Sequence, residues 1–307
     1  MADRYSAALD MAAWADRLGF AAVTLSEHHG FADGYLPAPL ILAAAVAART
    51  ERIHLTIAAI PAPLYDPVRL AEEIAVVDLV SRGRLTVVLA NGYMDSEFAM
   101  LGVEMRDRAR LTTEAVAVLR GAWSGEPFEH RGRTIRVTPT PFRPGGPRIL
   151  LGGAVEAVAR RAARIADGFV PNWPGVWEHY RDERTRLGHP DPGPFTGTVG
   201  RFLHVSAHPE RDWERILPHA LHESTEYGSH AAASGTAGKG TYEVPDSPES
   251  LQKNGQYRVV TPDELVAELK AAGPGAALGF HPLMGGIPPE LAWESLRLFE
   301  REVLPHL

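Results

Sequence analysis

Glu27, His28 and His29 stand side by side at the end of a short apolar run, Ala21-Ala22-Val23-Thr24-Leu25-Ser26. An imidazole gains and loses its proton close to neutral pH, so this trio is suited to proton exchange or hydrogen bonding at a reacting group. Adjacent histidines with a carboxylate could also bind a metal, but no further His/Asp cluster completes such a set at other strand ends. They could equally be plain polar residues on a rim. A second group has different chemistry. Gly152-Gly153, followed by Ala154, ends an apolar run and opens a helix. Glycines admit close backbone approach, and the unpaired N–H groups of a helix start attract an anion. Asn91, Asn172-Trp173 and His281-Pro282 close other apolar runs.

Elements of a parallel sheet are needed to bring such ends together. Residues 3–18 carry Tyr5, Ala8, Leu9, Ala12 and Ala15 at helical spacing, and Gly19 is placed to end the helix in a left-handed turn. Helices are also expected at 39–48, from Asp66 to Gly83, at 108–123, from Ala154 to Ala166, near 175–187, from Thr261 to Ala272 and at 289–303. Asp66-Pro67 and the Thr261-Pro262-Asp263-Glu264 capping box mark two of the starts. The intervening apolar runs read as strands: 21–28, 53–60, 85–90, 149–153, 169–173, 202–207 and 277–281. A small hairpin is expected around Arg131-Gly132-Arg133. Residues 218–257 lack a clear apolar period and read as a mobile lid or insertion before the last βα unit.

Strands alternating with helices from end to end predict one parallel α/β domain over residues 1–307. The expected fold is a (β/α)8 TIM barrel. Such a barrel starts with a strand, whereas this chain starts with a helix. The simplest account is a first strand absent from the chain through a start site placed too far downstream. A doubly wound open sheet is the alternative, weakened because no G-x-G-x-x-G follows the first strand. Ligands of either fold sit beyond the carboxyl ends of the strands.

A formal net charge of -7 argues against nucleic acid as a partner. There is no cysteine, which excludes disulfides, thiolate catalysis and cysteine metal sites. No apolar run is long enough to span a bilayer and no secretory signal is seen, so a cytoplasmic protein without a membrane partner is expected.

Several further pieces carry a resemblance. They are Leu18-Gly19-Phe20 before the strand that ends in Glu27-His28-His29; Ala47-Ala48-Arg49-Thr50-Glu51-Arg52-Ile53; Asp66-Pro67-Val68-Arg69-Leu70-Ala71-Glu72-Glu73; Asp78-Leu79-Val80-Ser81-Arg82-Gly83-Arg84; and Glu97-Phe98 followed by Gly102. In this order and spacing the chain resembles the bacterial luciferase-like flavin-dependent oxidoreductases over almost its whole length. The resemblance implies reduced FMN delivered by a separate reductase, oxygen, and a small organic substrate. The deazaflavin F420, moving a hydride without oxygen, is the alternative cofactor. It implies His28 as the catalytic residue. It places a non-prolyl cis peptide at Ala58-Ala59 behind the flavin ring, and a phosphate cradle at Gly152, Gly153 and Ala154. Asn91 stands where luciferase has a phosphate-binding arginine. Either backbone groups hold the dianion, or the cofactor differs. His29, Trp173 and His281 are expected to line a substrate pocket. No metal is implied, and a homodimer is expected. A non-catalytic flavin-binding protein and a metal-dependent barrel hydrolase are the readings from other classes.

Overall fold

In a computed structural model, the described residues are 1–196, 202–233, 235, 242–273 and 277–307. The chain divides into two compact units, Leu9–Phe195 and Met1–Ala8 with Thr196–Leu307.

The larger unit begins within α1 (Ala2–Leu18), which ends where Gly19 turns left-handed at φ 82°. It continues with β1 (Ala22–Leu25), α2 (Pro39–Arg49), β2 (His54–Pro61), α3 (Pro67–Ser81), β3 (Leu85–Ala90), α4 (Asp95–Leu101) and α5 (Arg108–Ala122). The hairpin β4 (Phe128–His130) and β5 (Arg133–Ile135) follows, with Arg131 and Gly132 both at positive φ in its turn. Then come β6 (Arg148–Gly153), α6 (Glu156–Ile165), β7 (Gly168–Pro171) and α7 (Trp177–Arg186). Asp66 caps α3 as expected, its carboxylate accepting from the Val68 and Arg69 amides.

The five parallel strands pair in the order β1-β2-β3-β6-β7. This sequential order has no reversal point. A doubly wound sheet must reverse, so that alternative is excluded for this unit. Winding in one direction places successive helices on one face. Strand alternation agrees. Leu55, Ile57, Leu85, Val87, Leu89, Ile149 and Leu151 join the helix residues Val46, Leu70, Ile74, Leu119 and Ala162 in one buried core. The alternate positions His54, Thr56, Thr86, Val88 and Leu150 turn to the other face, where His54 Nε2 and Thr86 Oγ1 lie 2.8 Å apart. Burial, followed by the Arg143, Arg84 and Arg148 charges, lowers the His54 pKa and keeps it neutral.

The second unit contains β8 (Phe202–Val205), α8 (Pro209–Ala233), α9 (Pro248–Lys253), β9 (Tyr257–Val260), α10 (Pro262–Ala272) and α11 (Pro289–Glu302). β8 and β9 form a parallel pair. Both halves of the Thr261/Glu264 capping box are present. Two expectations need correction. Residues 218–233 are not structureless but the second half of α8, and Ser224 Oγ donates to the Glu243 carbonyl, fastening residues 242–244 alongside it. Residues 234 and 236–241 of the same stretch lie outside the described residues. The seventh parallel strand is Tyr257–Val260, whereas 277–281 joins no ladder among the described residues. Tyr257, Val259 and Val260 favour a strand, while Gly279 interrupts the other run.

The described residues therefore form seven parallel strands in two sheets. β1 pairs only with β2 among them.

Candidate active site

The sequential sheet sets the strand ends beside one another along a single carboxyl edge. In order along it come His28 after β1, Ala58 and Ala59 in β2, Asn91 after β3, Gly152 and Gly153 ending β6, and Trp173 after β7. His281 belongs to the other unit. There its Nδ1 lies 3.5 Å from Glu223 Oε1, a buried carboxyl that also accepts from Tyr257 Oη at 2.9 Å.

His28 is buried, and its Nδ1 lies 2.9 Å from Glu97 Oε1. The same oxygen accepts the His29 backbone N–H at 2.9 Å. Burial pushes the Glu97 pKa up, but the bonds from His28 and from the His29 amide outweigh it and leave the carboxyl below its usual value. An ionised Glu97 can only accept, so His28 Nδ1 carries the proton. The other ring nitrogen, Nε2, faces the Tyr93 hydroxyl at 3.5 Å. Burial, with Glu97 and Tyr35 adding to it, raises the Tyr93 pKa, so the phenol stays neutral. Phe31, Tyr35 and Tyr93 stand around the imidazole with centroids 5.0, 5.1 and 5.8 Å away. An imidazole oriented by a carboxylate at Nδ1, with Nε2 facing a phenol in an aromatic enclosure, can exchange a proton and be stabilised as the cation.

Glu27 has a different role. Its carboxyl is buried, with Oε1 accepting from Tyr65 Oη at 2.7 Å and lying 2.8 Å from His29 Nε2. Oε2 has no partner. Burial raises its pKa to about 8, opposed by the Tyr65 bond and helped by Glu97. Burial also lowers the His29 pKa. Both groups are neutral at pH 7, so their contact is a hydrogen bond and not an ion pair. An unfolded glutamate titrates near 4.5, so between pH 4.5 and 8 the folded chain holds a proton that the unfolded chain has lost. Stability must fall as pH rises through that window. The melting temperature of Glu27→Gln is expected to fall less between pH 5 and pH 8.5 than that of the wild type. Parallel pH dependence in the two proteins would show that Glu27 is not held neutral.

The peptide bond between Ala58 and Ala59 is cis, and the β2–β3 register shifts between Ala58 and Ile60. Trp173 donates its indole N–H to the Ala154 carbonyl at 3.0 Å, tying the ends of β6 and β7 together. The N-cap of α6 is Val155, which offers no side-chain acceptor to the first-turn amides. Asn91 Oδ1 accepts from Arg161 Nη1 at 3.3 Å, and Arg108 Nη1 donates to the Gly92 carbonyl at 3.1 Å. No cluster of three metal-ligating side chains occurs among the described residues.

Sequence reasoning singled out His28 and His29 but assigned no role to Glu97, although Glu97-Phe98 was in view as a motif. Tyr65, Tyr93, Phe31, Tyr35 and Arg161 were missed. The one available signal was Tyr93, directly after Asn91-Gly92 at a strand end.

Residues 1–278 match the family model for luciferase-like monooxygenases. The chain belongs to that family. It is 31% identical over 134 residues to the FMNH(2)-dependent dimethylsulfone monooxygenase of Pseudomonas fluorescens, covering 42% of this chain and 36% of that protein. Matches to several curated relatives span only 30–38% of their lengths. The F420-dependent glucose-6-phosphate dehydrogenase of Nocardia farcinica is 26% identical, covering 97% of this chain and 93% of that one. The fold matches that of the monooxygenase RslO1 from Streptomyces bottropensis with a TM-score of 0.74 at 24% identity, covering 98% and 93% of the two chains.

Proposed function

We propose that this protein is a flavin-dependent monooxygenase that uses reduced FMN from a separate reductase, and oxygen, to oxidise a small organic substrate. The observation that carries the reading is the buried His28–Glu97 pair, standing on the same sheet edge as the Ala58–Ala59 cis peptide and the Gly152-Gly153 end of β6. The relative described as an FMNH(2)-dependent monooxygenase supports it.

The residues fit such a cofactor. Small side chains at Ala58 and Ala59 leave backbone free to lie against a ring. The α6 start lacks a side-chain cap and leaves amides for a phosphate. Bound reduced flavin supplies the electrons that activate oxygen. His28 then holds or accepts a proton at Nε2, Glu97 fixes its orientation, and Phe31, Tyr35 and Tyr93 limit access of water.

An F420-dependent hydride transfer is the second reading. It is favoured by the near full-length match to an F420-dependent dehydrogenase and by the neutral Asn91. A homodimer through α2 and α3 is part of the proposal, because Ile41, Val76, Leu79 and Val80 on these helices are exposed. One preparation tests all of it. The co-purifying cofactor is identified by absorbance and mass, oxygen uptake is followed with reduced FMN, and the mass is read by sedimentation. FMN with oxygen uptake and a dimer is expected. F420 without uptake would establish the second reading, and stoichiometric flavin without uptake would indicate a binding protein.

A further inference from the structure

Three arginines of α6 follow one another on adjacent turns, and their surroundings differ. Arg160 pairs with Glu156 and Glu183, and Arg164 pairs with Glu183. Arg161 forms no ion pair among the described residues. Its guanidinium is half-buried and gives a single long hydrogen bond to a neutral amide oxygen, Asn91 Oδ1 at 3.3 Å. Burial disfavours its charge, and the like charge of Arg164 adds to that effect. A half-buried cation held only by a neutral amide retains most of its capacity for an anion.

Its location gives that anion a place. Asn91 follows β3, and β3 pairs directly with β6, whose end is Gly152-Gly153. Arg161 therefore reaches from α6 to the strand end beside the glycines and the uncapped start of its own helix. Glu156 in that first turn is engaged by Arg160 at 2.7 Å.

We infer that Arg161 is the cation that recognises the phosphate of the cofactor, supplying from α6 the charge that Asn91 lacks, with the Asn91 amide positioning its guanidinium. This rests on the flavin reading above. A planar guanidinium suits a phosphomonoester, to which it can donate two parallel bonds. The selectivity should thus be for FMN over riboflavin, which has the same ring without the phosphate.

The experiment is anaerobic equilibrium titration of reduced FMN and reduced riboflavin, followed by quenching of the protein's tryptophan fluorescence, on the wild-type chain, Arg161→Gln and Arg164→Gln. Wild type should bind FMN more tightly than riboflavin by roughly 10- to 100-fold, the worth of a charge-assisted bond. Arg161→Gln should erase most of that ratio while leaving the riboflavin affinity in place. Arg164→Gln, which changes an arginine already paired with Glu183, should preserve it. Melting curves for each variant identify a folding defect, which would lower both affinities together. Retention of the full FMN preference in Arg161→Gln would overturn the assignment and leave the flavin reading standing. Failure of the wild type to bind either flavin would overturn both.

Discussion

His28→Ala is expected to fold and to lose roughly 100-fold or more in substrate turnover, the lower range for loss of a positioned general acid or base. The imidazole is held at Nδ1 by an ionised Glu97 and presents Nε2 among three aromatic rings. The neighbouring His29 does not replace it: its ring is turned to Glu27 and its pKa is lowered by burial. Glu97→Gln separates orientation from charge. Its amide oxygen can still accept from Nδ1, but it no longer stabilises the cation. The expected loss falls on kcat with KM little changed. His28→Asn serves as a second variant with less change in volume. Turnover within twofold of wild type in both His28 variants, with unchanged melting temperatures, would remove His28 from the mechanism.

A large effect on stability is expected at Gly146. Its φ is +86°, and a Cβ built there would lie 2.1 Å from Trp123 Cε3. Trp123 is buried and donates its indole N–H to the Ala71 carbonyl at 3.1 Å, which fastens the end of α5 onto α3. Gly146→Ala should therefore lose about 3 kcal/mol or more from overpacking and left-handed strain together. That is roughly a 5 °C drop in Tm for a chain of 307 residues. Gly145→Ala provides the comparison. It has φ +79° but nothing within 4 Å of the added Cβ, so only the backbone cost of about 1 kcal/mol applies. Similar melting temperatures for the two variants would mean that Trp123 yields.

Much of the larger unit could be read from the sequence because its helices carry their own punctuation. Asp66-Pro67 and Gly19 name the ends of α3 and α1, and β3 is apolar but for Thr86 because it is buried on both faces. α8 was not legible. Its buried residues are Asp212, Trp213, Ile216, Ala220, Glu223, Ser224 and Gly228, mostly small or polar, and Pro218 lies inside it. Such residues pack through close approach and hydrogen bonds. Gly228 shows this, since an added Cβ would meet the Val244 backbone nitrogen at 2.4 Å. The site divides the same way. His28 lies where the strand ends, and strand ends can be found by pattern. Glu97 and Arg161 reach their partners across 69 and 70 residues of sequence, and only the folded sheet brings those positions together.

The turn after β3 joins the two halves of the site. Gly92, at φ +71°, lies so close to Phe98 that a Cβ would stand 2.7 Å from its ring, and Phe98 is the neighbour of Glu97. One short connection thus carries Asn91 at one end and the partner of His28 at the other. The aromatic residues Phe31 and Tyr35 come from a separate connection, between β1 and α2. For protein engineers this is a division of labour. Positions around Phe31 and Tyr35 in the β1–α2 loop can be randomised with His28 and His29 kept, while the β3–α4 connection is best left untouched, since a single methyl group at Gly92 would disturb Asn91 and the partner of His28 together.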